Sequence, residues 1–246
     1  MNNLAGSVVL VTGGSRGIGL AIARACASEG AQVALVARDR NALQNAAKAL
    51  PGSVIFAADV TKERDVKRLF QTVERRLKRL DILVNNAGVF TYKPFQQTTF
   101  ADWEKNLRSN LTSLFLVTRA ALPLLERSPA AHIVNILSVS SRTAFPKCSA
   151  YCASKFGALG FTRVLAQELR PSHIRVTAIL PGSTSTRMSN EFDFPVDRAK
   201  LLQPEDVAGT VLAALLAPPR AAVDEILLTP AQGNLAANPR RKKIRR

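Results

Sequence analysis

Short apolar segments alternate with longer amphipathic segments along most of the chain. The first apolar segment, residues 7–12 (SVVLVT), is almost uninterrupted, as expected for a strand buried on both faces of a sheet. Residues 62–79 instead space their apolar positions three and four apart, which predicts an amphipathic helix. Strands that alternate with helices predict a parallel sheet with helices on both faces.

The same pattern continues to the end of the apolar sequence. Strands are expected at residues 7–12, 32–37, 53–57, 81–85, 132–137, 173–180 and 223–228. Helices are expected at residues 17–29, 40–50, 62–79, 100–126, 149–169 and 204–216. No linker or internal repeat interrupts the alternation. We therefore predict the α/β class, with one doubly wound Rossmann domain of seven parallel strands over residues 1–235, and a tail at residues 236–246.

The charge is concentrated at the C-terminus. The chain of 246 residues has a net charge of +16, and six positive charges lie in residues 240–246, which leaves +10 elsewhere. The tail follows Asn238-Pro239 and has almost no apolar content, so we expect it to be disordered. No aromatic or groove-reading element accompanies it, which argues against nucleic acid as a partner. The remaining positive charge is compatible with a polyanionic cofactor.

Other features of the composition narrow the class of protein. No apolar run reaches the length of a membrane span, and the N-terminus lacks the pattern of a signal peptide, so a cytoplasmic protein without membrane contact is expected. The three cysteines, Cys26, Cys148 and Cys152, lack a metal-ligand spacing and are expected to be free thiols, with no metal site. His132 and His173 stand at the starts of predicted strands, which favours a structural interpretation for both.

A glycine-rich turn follows the first predicted strand and precedes the first predicted helix. Residues 12–19 read TGGSRGIG. Gly13, Gly17 and Gly19 would permit a tight turn, close approach of the backbone to a pyrophosphate, and close packing of helix on strand. The helix N-terminus would direct free N–H groups at the phosphates. The alternative is a glycine-rich loop that binds no ligand.

Tyr151 and Lys155 lie four residues apart in a predicted helix. This spacing places both side chains on one face. A neighbouring ammonium group lowers the pKa of a phenol, which would suit Tyr151 to proton transfer near neutral pH. An exposed pair on a helix surface is the ordinary alternative.

Several motifs together resemble the short-chain dehydrogenase/reductase family over almost the whole chain. TGxxxGIG, the NNAG sequence at residues 85–88 and YxxxK at Tyr151 and Lys155 occur in the family's order. Asp59 matches the family's acidic residue near the adenine ring. Pro181-Gly182 followed by Thr186 resembles the PGxxxT segment that borders the nicotinamide.

The resemblance implies a catalytic role for four residues. Ser138 stands at the family's separation from Tyr151 and would hold the carbonyl oxygen, although Ser140 and Ser141 are nearby rivals. Tyr151 would exchange the proton, and Lys155 would lower its pKa and bind the nicotinamide ribose. The fourth predicted catalytic residue is Asn110. In the family, the asparagine at this position bends its helix and binds a water molecule that connects to the lysine.

The choice of nicotinamide depends on the end of the second strand. NAD enzymes place an acid there that binds the ribose 2′-hydroxyl, but this chain has Ala37 followed by Arg38. Arg16 adds a second cation, and Asp39 is read as turn-forming, so NADP(H) is predicted. The predicted cofactor-binding residues are Gly13, Ser15, Arg16, Gly17, Ile18, Gly19, Arg38, Asp59, Val60, Asn86, Ala87, Gly88, Tyr151, Lys155, Pro181, Gly182, Thr184 and Thr186.

The predicted substrate pocket is apolar. Residues 188–202 are expected to form a short flexible lid. An apolar pocket favours a ketone, aldehyde or acyl group. The C-terminal sequence lacks the TG…DGG ending that many family members have, and resembles members that act on small 3-hydroxy acids or have broad specificity. Further candidate pocket residues are Phe90, Tyr92, Phe145, Cys148, Phe192, Phe194 and Pro195.

The resulting hypothesis is an NADP(H)-dependent oxidoreductase. It would reduce a ketone, an aldehyde or a 3-oxoacyl compound to an alcohol, or catalyse the reverse, with a small-molecule substrate as its partner. The alternative hypothesis is a catalytically idle NADP(H)-binding sensor or interaction protein. The resemblance also implies a homodimer or homotetramer that pairs through the two long helices, residues 100–126 and 149–169.

Overall fold

The computed structural model describes residues 3–234 and contains one parallel sheet of seven strands. The strand order is β3-β2-β1-β4-β5-β6-β7, and every neighbouring pair is parallel. The predicted fold class is therefore confirmed. The strands are β1 (Val8–Thr12), β2 (Gln32–Ala37), β3 (Val54–Ala57), β4 (Ile82–Asn85), β5 (His132–Ile136), β6 (Arg175–Pro181) and β7 (Glu225–Leu228).

Helices cover both faces of the sheet because side chains alternate along each strand. Val8 and Leu10 of β1 belong to one apolar layer, and Val9 and Val11 belong to the other. The first layer includes α3 and α5, and the second includes α1, α2 and α7. The helices are α1 (Gly17–Ser28), α2 (Arg40–Lys48), α3 (Glu63–Leu77), α4 (Phe100–Leu107), α5 (Ser113–Leu125), α6 (Ser149–Glu168) and α7 (Pro204–Leu215).

Most predicted bounds differ from the observed ones by one or two residues. Helix α3 ends early because Lys78 adopts a left-handed φ of 63°, and β6 begins late because His173 adopts one of 57°. The helix predicted over residues 100–126 is observed at residues 100–125, but it is not α-helical throughout. A π-helical segment, Arg108–Thr112, separates α4 from α5. Such segments recur at functional sites, and this one contains Asn110.

The strand order reverses between β1 and β4, which lie side by side at the middle of the sheet. In open parallel sheets, ligands bind at such a point, beyond the carboxyl ends of the strands. The loops after β1, β4, β5 and β6 all leave the sheet at this edge. Within residues 3–234, no helix has both the length and the apolar character to cross a membrane. The predicted tail lies outside the described residues, and the domain boundary at residue 235 stays a prediction.

Candidate active site

Two adjoining cavities occupy the carboxyl edge of the sheet. The first, called here the cofactor cleft, runs past the glycine loop and the ends of β2 and β3, with a volume of about 590 Å³. The second, called here the substrate cavity, has a volume of about 150 Å³ and lies over the end of β5 and the start of α6. Ile18, Asn86, Gly88 and Thr186 border both, so the two form one continuous site.

The glycine loop has the backbone geometry that its sequence predicts. Gly13 and Gly17 have φ values of 65° and 53°, which residues with a side chain rarely adopt. Arg16 is the N-cap of α1 but makes no side-chain capping bond, and the first turn of α1 has no acidic residue. The first amides of α1 therefore have no side-chain acceptor within the helix. Such a helix N-terminus fits an anionic group such as a pyrophosphate.

Gly19 is the one predicted cofactor-binding residue that borders neither cavity. A Cβ atom there would lie 2.4 Å from Nδ2 of Asn86 and 2.5 Å from the carbonyl oxygen of Gly13. Gly19 therefore serves close packing of α1 against the glycine loop.

The NNAG segment after β4 fastens the glycine loop to the sheet. Nδ2 of Asn86 donates to the carbonyl oxygen of Thr12 at 2.9 Å. The hydroxyl oxygen of Thr12 accepts from the backbone N–H groups of Asn86 at 2.9 Å and Ala87 at 3.1 Å. Since the NNAG segment and the glycine loop satisfy each other's polar groups, the NNAG segment fixes the position of the glycine loop in addition to lining the cleft.

Positive charge lines the cofactor cleft where the sequence predicts a 2′-phosphate. Arg16 and Arg38 are exposed, and neither guanidinium has a hydrogen-bond or ion-pair partner among residues 3–234. Asp59 borders the cleft, where its carboxylate accepts from the backbone N–H of Thr61 at 3.1 Å and its hydroxyl at 2.7 Å. The uncapped α1 amides and the two arginines together fit a phosphorylated dinucleotide.

Two further arginines that the sequence analysis missed border the same cleft. Arg187 directly follows Thr186, so its place in the chain could have indicated it. Arg198 lies further along and donates to the hydroxyl of Ser185 and the carbonyl oxygen of Thr186, both at 3.3 Å. Four guanidinium groups therefore surround the cleft.

Tyr151, Lys155 and Ser138 come together on one wall of the substrate cavity. Ser138 follows the end of β5, and its hydroxyl hydrogen-bonds the phenol of Tyr151 in the first turn of α6. Nζ of Lys155 donates to the carbonyl oxygen of Ile136 at 3.1 Å and lies 5.8 Å from the centre of the Tyr151 ring. All three side chains are buried, unlike an ordinary surface pair.

The predicted lowering of the Tyr151 pKa is wrong for this structure. Burial raises the pKa of Tyr151 to about 12, although the hydrogen bond from Ser138 acts in the opposite direction. Burial also lowers the pKa of Lys155 to about 8. Desolvation is the largest cause of both pKa shifts because both side chains are buried. Near neutral pH the phenol is therefore protonated and can donate a proton.

Asn110 connects the loop after β4 to α6. Its Nδ2 donates to the carbonyl oxygen of Val89 at 3.0 Å and to the hydroxyl of Ser154 at 2.9 Å, and its Oδ1 accepts from the N–H of Val89 at 2.8 Å. These bonds keep Asn110 buried beside Gly88. The amide donors are fully used, so Asn110 acts on its surroundings as an acceptor.

The last residue of β6 and the segment after it line one side of the cavity. Pro181, Gly182, Thr184 and Thr186 all border it. The sequence analysis missed Asn234, whose Oδ1 accepts from the N–H of Ser183 at 3.0 Å. Asn234 lies 51 residues after Ser183 in the chain, so no local sequence motif indicated that it belongs to this site.

The rival serines have different surroundings. Ser140 borders the substrate cavity, but its backbone N–H donates to the hydroxyl oxygen of Ser138 at 3.1 Å. Ser141 is buried and borders neither cavity. Ser138 is thus the serine that contacts Tyr151.

The outer part of the substrate cavity is aromatic. Phe90 packs edge-on against Tyr151, with ring centres 4.8 Å apart, and its centre lies 5.3 Å from that of Phe192. Phe192 belongs to residues 188–202, the predicted lid. Phe145 and Cys148 also border this part, as predicted. Tyr92 and Phe194 lie behind Phe192 and border neither cavity.

Neither histidine borders the two cavities, and of the three cysteines Cys148 alone does so. Nε2 of His132 lies 2.8 Å from the hydroxyl of Thr177, and burial lowers the His132 pKa to about 3. His173 lies in the turn before β6. The three cysteines are buried and unpaired.

The geometry is that of an oxidoreductase that binds a phosphorylated dinucleotide. The family model for short chain dehydrogenases matches residues 7–194, so the chain belongs to this family. A curated relative, sepiapterin reductase of Chlorobaculum tepidum, is 34% identical over 93% of this chain and 98% of that protein.

Solved structures agree with this assignment. A metagenomic short-chain oxidoreductase in complex with NADP has a TM-score of 0.81 at 32% identity, covering 93% of this chain and 99% of that one. An alcohol dehydrogenase of the archaeon Thermococcus sibiricus, complexed with 5-hydroxy-NADP, has a TM-score of 0.84 at 28% identity, covering 92% and 97%. These complexes confirm the prediction of NADP(H) as the cofactor.

Proposed function

We propose that this protein is an NADPH-dependent carbonyl reductase that converts a ketone or aldehyde to an alcohol and can catalyse the reverse reaction. The observation that carries the proposal is the buried Tyr151 phenol, held by Ser138, at the wall where the substrate cavity adjoins the cofactor cleft. A protonated phenol at this position is a proton donor for an oxygen atom that enters the cavity.

Different groups of the chain bind different parts of the cofactor. The first amides of α1 bind the pyrophosphate, while Arg16 and Arg38 bind the 2′-phosphate. Arg187 and Arg198 add positive charge on the opposite wall. The segment from Pro181 to Thr186 borders the nicotinamide, which supplies the hydride when NADPH is bound.

The four catalytic residues have separate roles in this proposal. Ser138 donates a hydrogen bond to the carbonyl oxygen and orients it. Tyr151 gives that oxygen its proton. Lys155 stabilises the tyrosinate that remains and binds the ribose. Asn110 holds the loop at Val89 against α6 and accepts from the water that resupplies the proton.

An apolar surface supports a homo-oligomer. Phe115 of α5 and Phe156 and Val164 of α6 are 42%, 45% and 52% exposed, which is a large apolar exposure for two helices of one protein. Pairing of two copies through α5 and α6 would cover these side chains. Light scattering after size exclusion tests this, and a monomer would contradict it. The cytoplasmic location stays a prediction.

The proposed activity is tested with a panel of ketones, aldehydes and 3-oxoacyl thioesters, each assayed with NADPH and NADH. We expect turnover of at least one carbonyl class, with NADPH preferred. Tight NADPH binding without turnover of any member would instead favour the idle sensor.

A further inference from the structure

The substrate cavity differs in charge from the rest of the molecule. The chain contains 34 lysines and arginines, yet Lys155 is the one charged residue among the described residues that line this cavity. Lys155 already donates to the carbonyl oxygen of Ile136 and lies beside Tyr151. A carboxylate or phosphate that entered would lose its water without gaining a free counterion, which is strongly unfavourable.

Aromatic rings form the outer part of the same cavity. The planes of Phe90 and Tyr151 meet at 81°, and those of Phe90 and Phe192 meet at 59°. Rings at such angles present both faces and edges, which is the arrangement that aromatic partners prefer. The thiol of Cys148 adds to the apolar surface, because burial raises its pKa to about 12 and keeps it protonated.

An ion pair and a cation–π contact lie next to Phe192. Asp193, the next residue, lies 2.5 Å from Nζ of Lys147, which directly precedes Cys148. The same Nζ lies 5.2 Å from the centre of the Tyr92 ring. The lid is therefore joined to the loop before α6 beside Phe192, whose ring borders the cavity.

We propose that the natural substrate is an uncharged carbonyl compound with an aromatic ring next to the carbonyl group. This inference rests on the proposed carbonyl reduction and specifies its substrate. The ring would occupy the space between Phe90, Phe145 and Phe192, and the carbonyl oxygen would point to Ser138 and Tyr151. Small 3-hydroxy acids and their oxo acids are excluded by the same argument, since they carry a carboxylate.

Two matched pairs of substrates separate the effects of the ring and the charge. Acetophenone and cyclohexyl methyl ketone have similar size, but only the first has an aromatic ring. We expect kcat/KM for acetophenone to be about tenfold higher. Methyl benzoylformate and benzoylformate differ by one negative charge, and we expect the ester to be favoured by at least ~100-fold. Equal values in the first pair, or a preference for benzoylformate in the second, would overturn the proposal.

Variants show whether the named rings cause the preference. Phe90→Leu and Phe192→Leu should each lower the preference for the aromatic ketone, measured as the ratio of kcat/KM for acetophenone to kcat/KM for cyclohexyl methyl ketone, by about threefold. Both residues are partly exposed, so each substitution is compatible with folding. Phe95→Leu is the control, because Phe95 is 76% exposed and borders neither cavity. A ratio that stays unchanged in both cavity variants would count against the proposal.

A binding measurement keeps the substrate class testable if no carbonyl is reduced. Saturation-transfer NMR with the wild-type protein and NADP⁺ detects ketone binding without turnover. A stronger signal for acetophenone than for cyclohexyl methyl ketone, reduced in Phe192→Leu, would support an aromatic ligand even if carbonyl reduction failed. Equal signals from both ketones would contradict it.

Discussion

The cofactor cleft and the substrate cavity lie side by side but differ in the charge of the residues that line them. Four arginines and the uncapped end of α1 outweigh the carboxylates of Asp39 and Asp59, so the cleft has an excess of positive charge. The cavity instead contains one buried lysine among apolar and uncharged polar groups. The cleft must bind a polyanion, for which charge and free amides suffice. In the proposed reaction a proton moves within the cavity, for which exclusion of water and a protonated phenol matter more. Tyr151 stands where these two environments meet.

The largest effect is expected from Tyr151→Phe, which removes the proposed proton donor and leaves the cleft intact. We predict that kcat/KM for ketone reduction falls by about 10³- to 10⁴-fold. NADPH affinity, measured by fluorescence titration, should change by no more than about twofold, because the phenol hydroxyl is not needed for phosphate binding. Retention of a tenth of the activity would contradict the assignment.

A smaller effect is expected when only the charge of the cleft is changed. The double variant Arg16→Gln and Arg38→Gln should weaken NADPH binding roughly 10- to 100-fold, since two charge-assisted contacts are lost. NADH binding should stay within about threefold, because NADH lacks the 2′-phosphate.

Arg24→Gln is the matched control, because Arg24 is an exposed residue of α1 that borders neither cavity. Equal weakening of NADPH and NADH in the double variant would place the two arginines elsewhere than at the 2′-phosphate.

The pH dependence of kcat/KM should follow the protonation of the buried Lys155. Since burial lowers the pKa of Lys155 to about 8, its ammonium is lost as pH rises through that value. We predict that kcat/KM for reduction is constant below this pH and falls about tenfold per pH unit above it. The phenol keeps its proton over this range, because the pKa of Tyr151 is about 12.

Lys155→Arg keeps its charge and should remove this fall from whatever activity it retains. A variant whose rate still decreased above the same pH would assign the titration to another group.

The smallest effect is expected at the lid. Lys147→Met breaks the ion pair with Asp193. The side chains of Lys147 and Asp193 are 36% and 56% exposed, so the pair contributes little stabilisation to the lid. We predict that KM for acetophenone rises about two- to threefold, with kcat and NADPH affinity unchanged.

Lys200→Met removes a comparably exposed pair with Asp197 and serves as the control. A similar rise in both variants would show that the lid as a whole, rather than the contact beside Phe192, sets KM.

The cleft could be predicted from sequence to a greater extent than the cavity. Phosphate binding requires glycines and a helix start at fixed spacing, so Gly13 and Gly17 were visible in the sequence. The rise in the Tyr151 pKa depends on enclosure by several elements and has no local signature. The π-helical segment is equally hidden, because Asn110 bonds to Val89 and Ser154, which lie far from it in the chain.

Carbonyl reduction by this protein is tested most directly with NADPH that carries deuterium at the nicotinamide C4 position, in both stereochemical forms, with acetophenone as substrate. Mass spectrometry and NMR of the product locate the label. Hydride transfer from NADPH should give 1-phenylethanol with one deuterium on the carbinol carbon from one of the two forms, and none above background with Tyr151→Phe. Product without deuterium from either form, or no product from any carbonyl despite tight NADPH binding, would contradict hydride transfer by this protein.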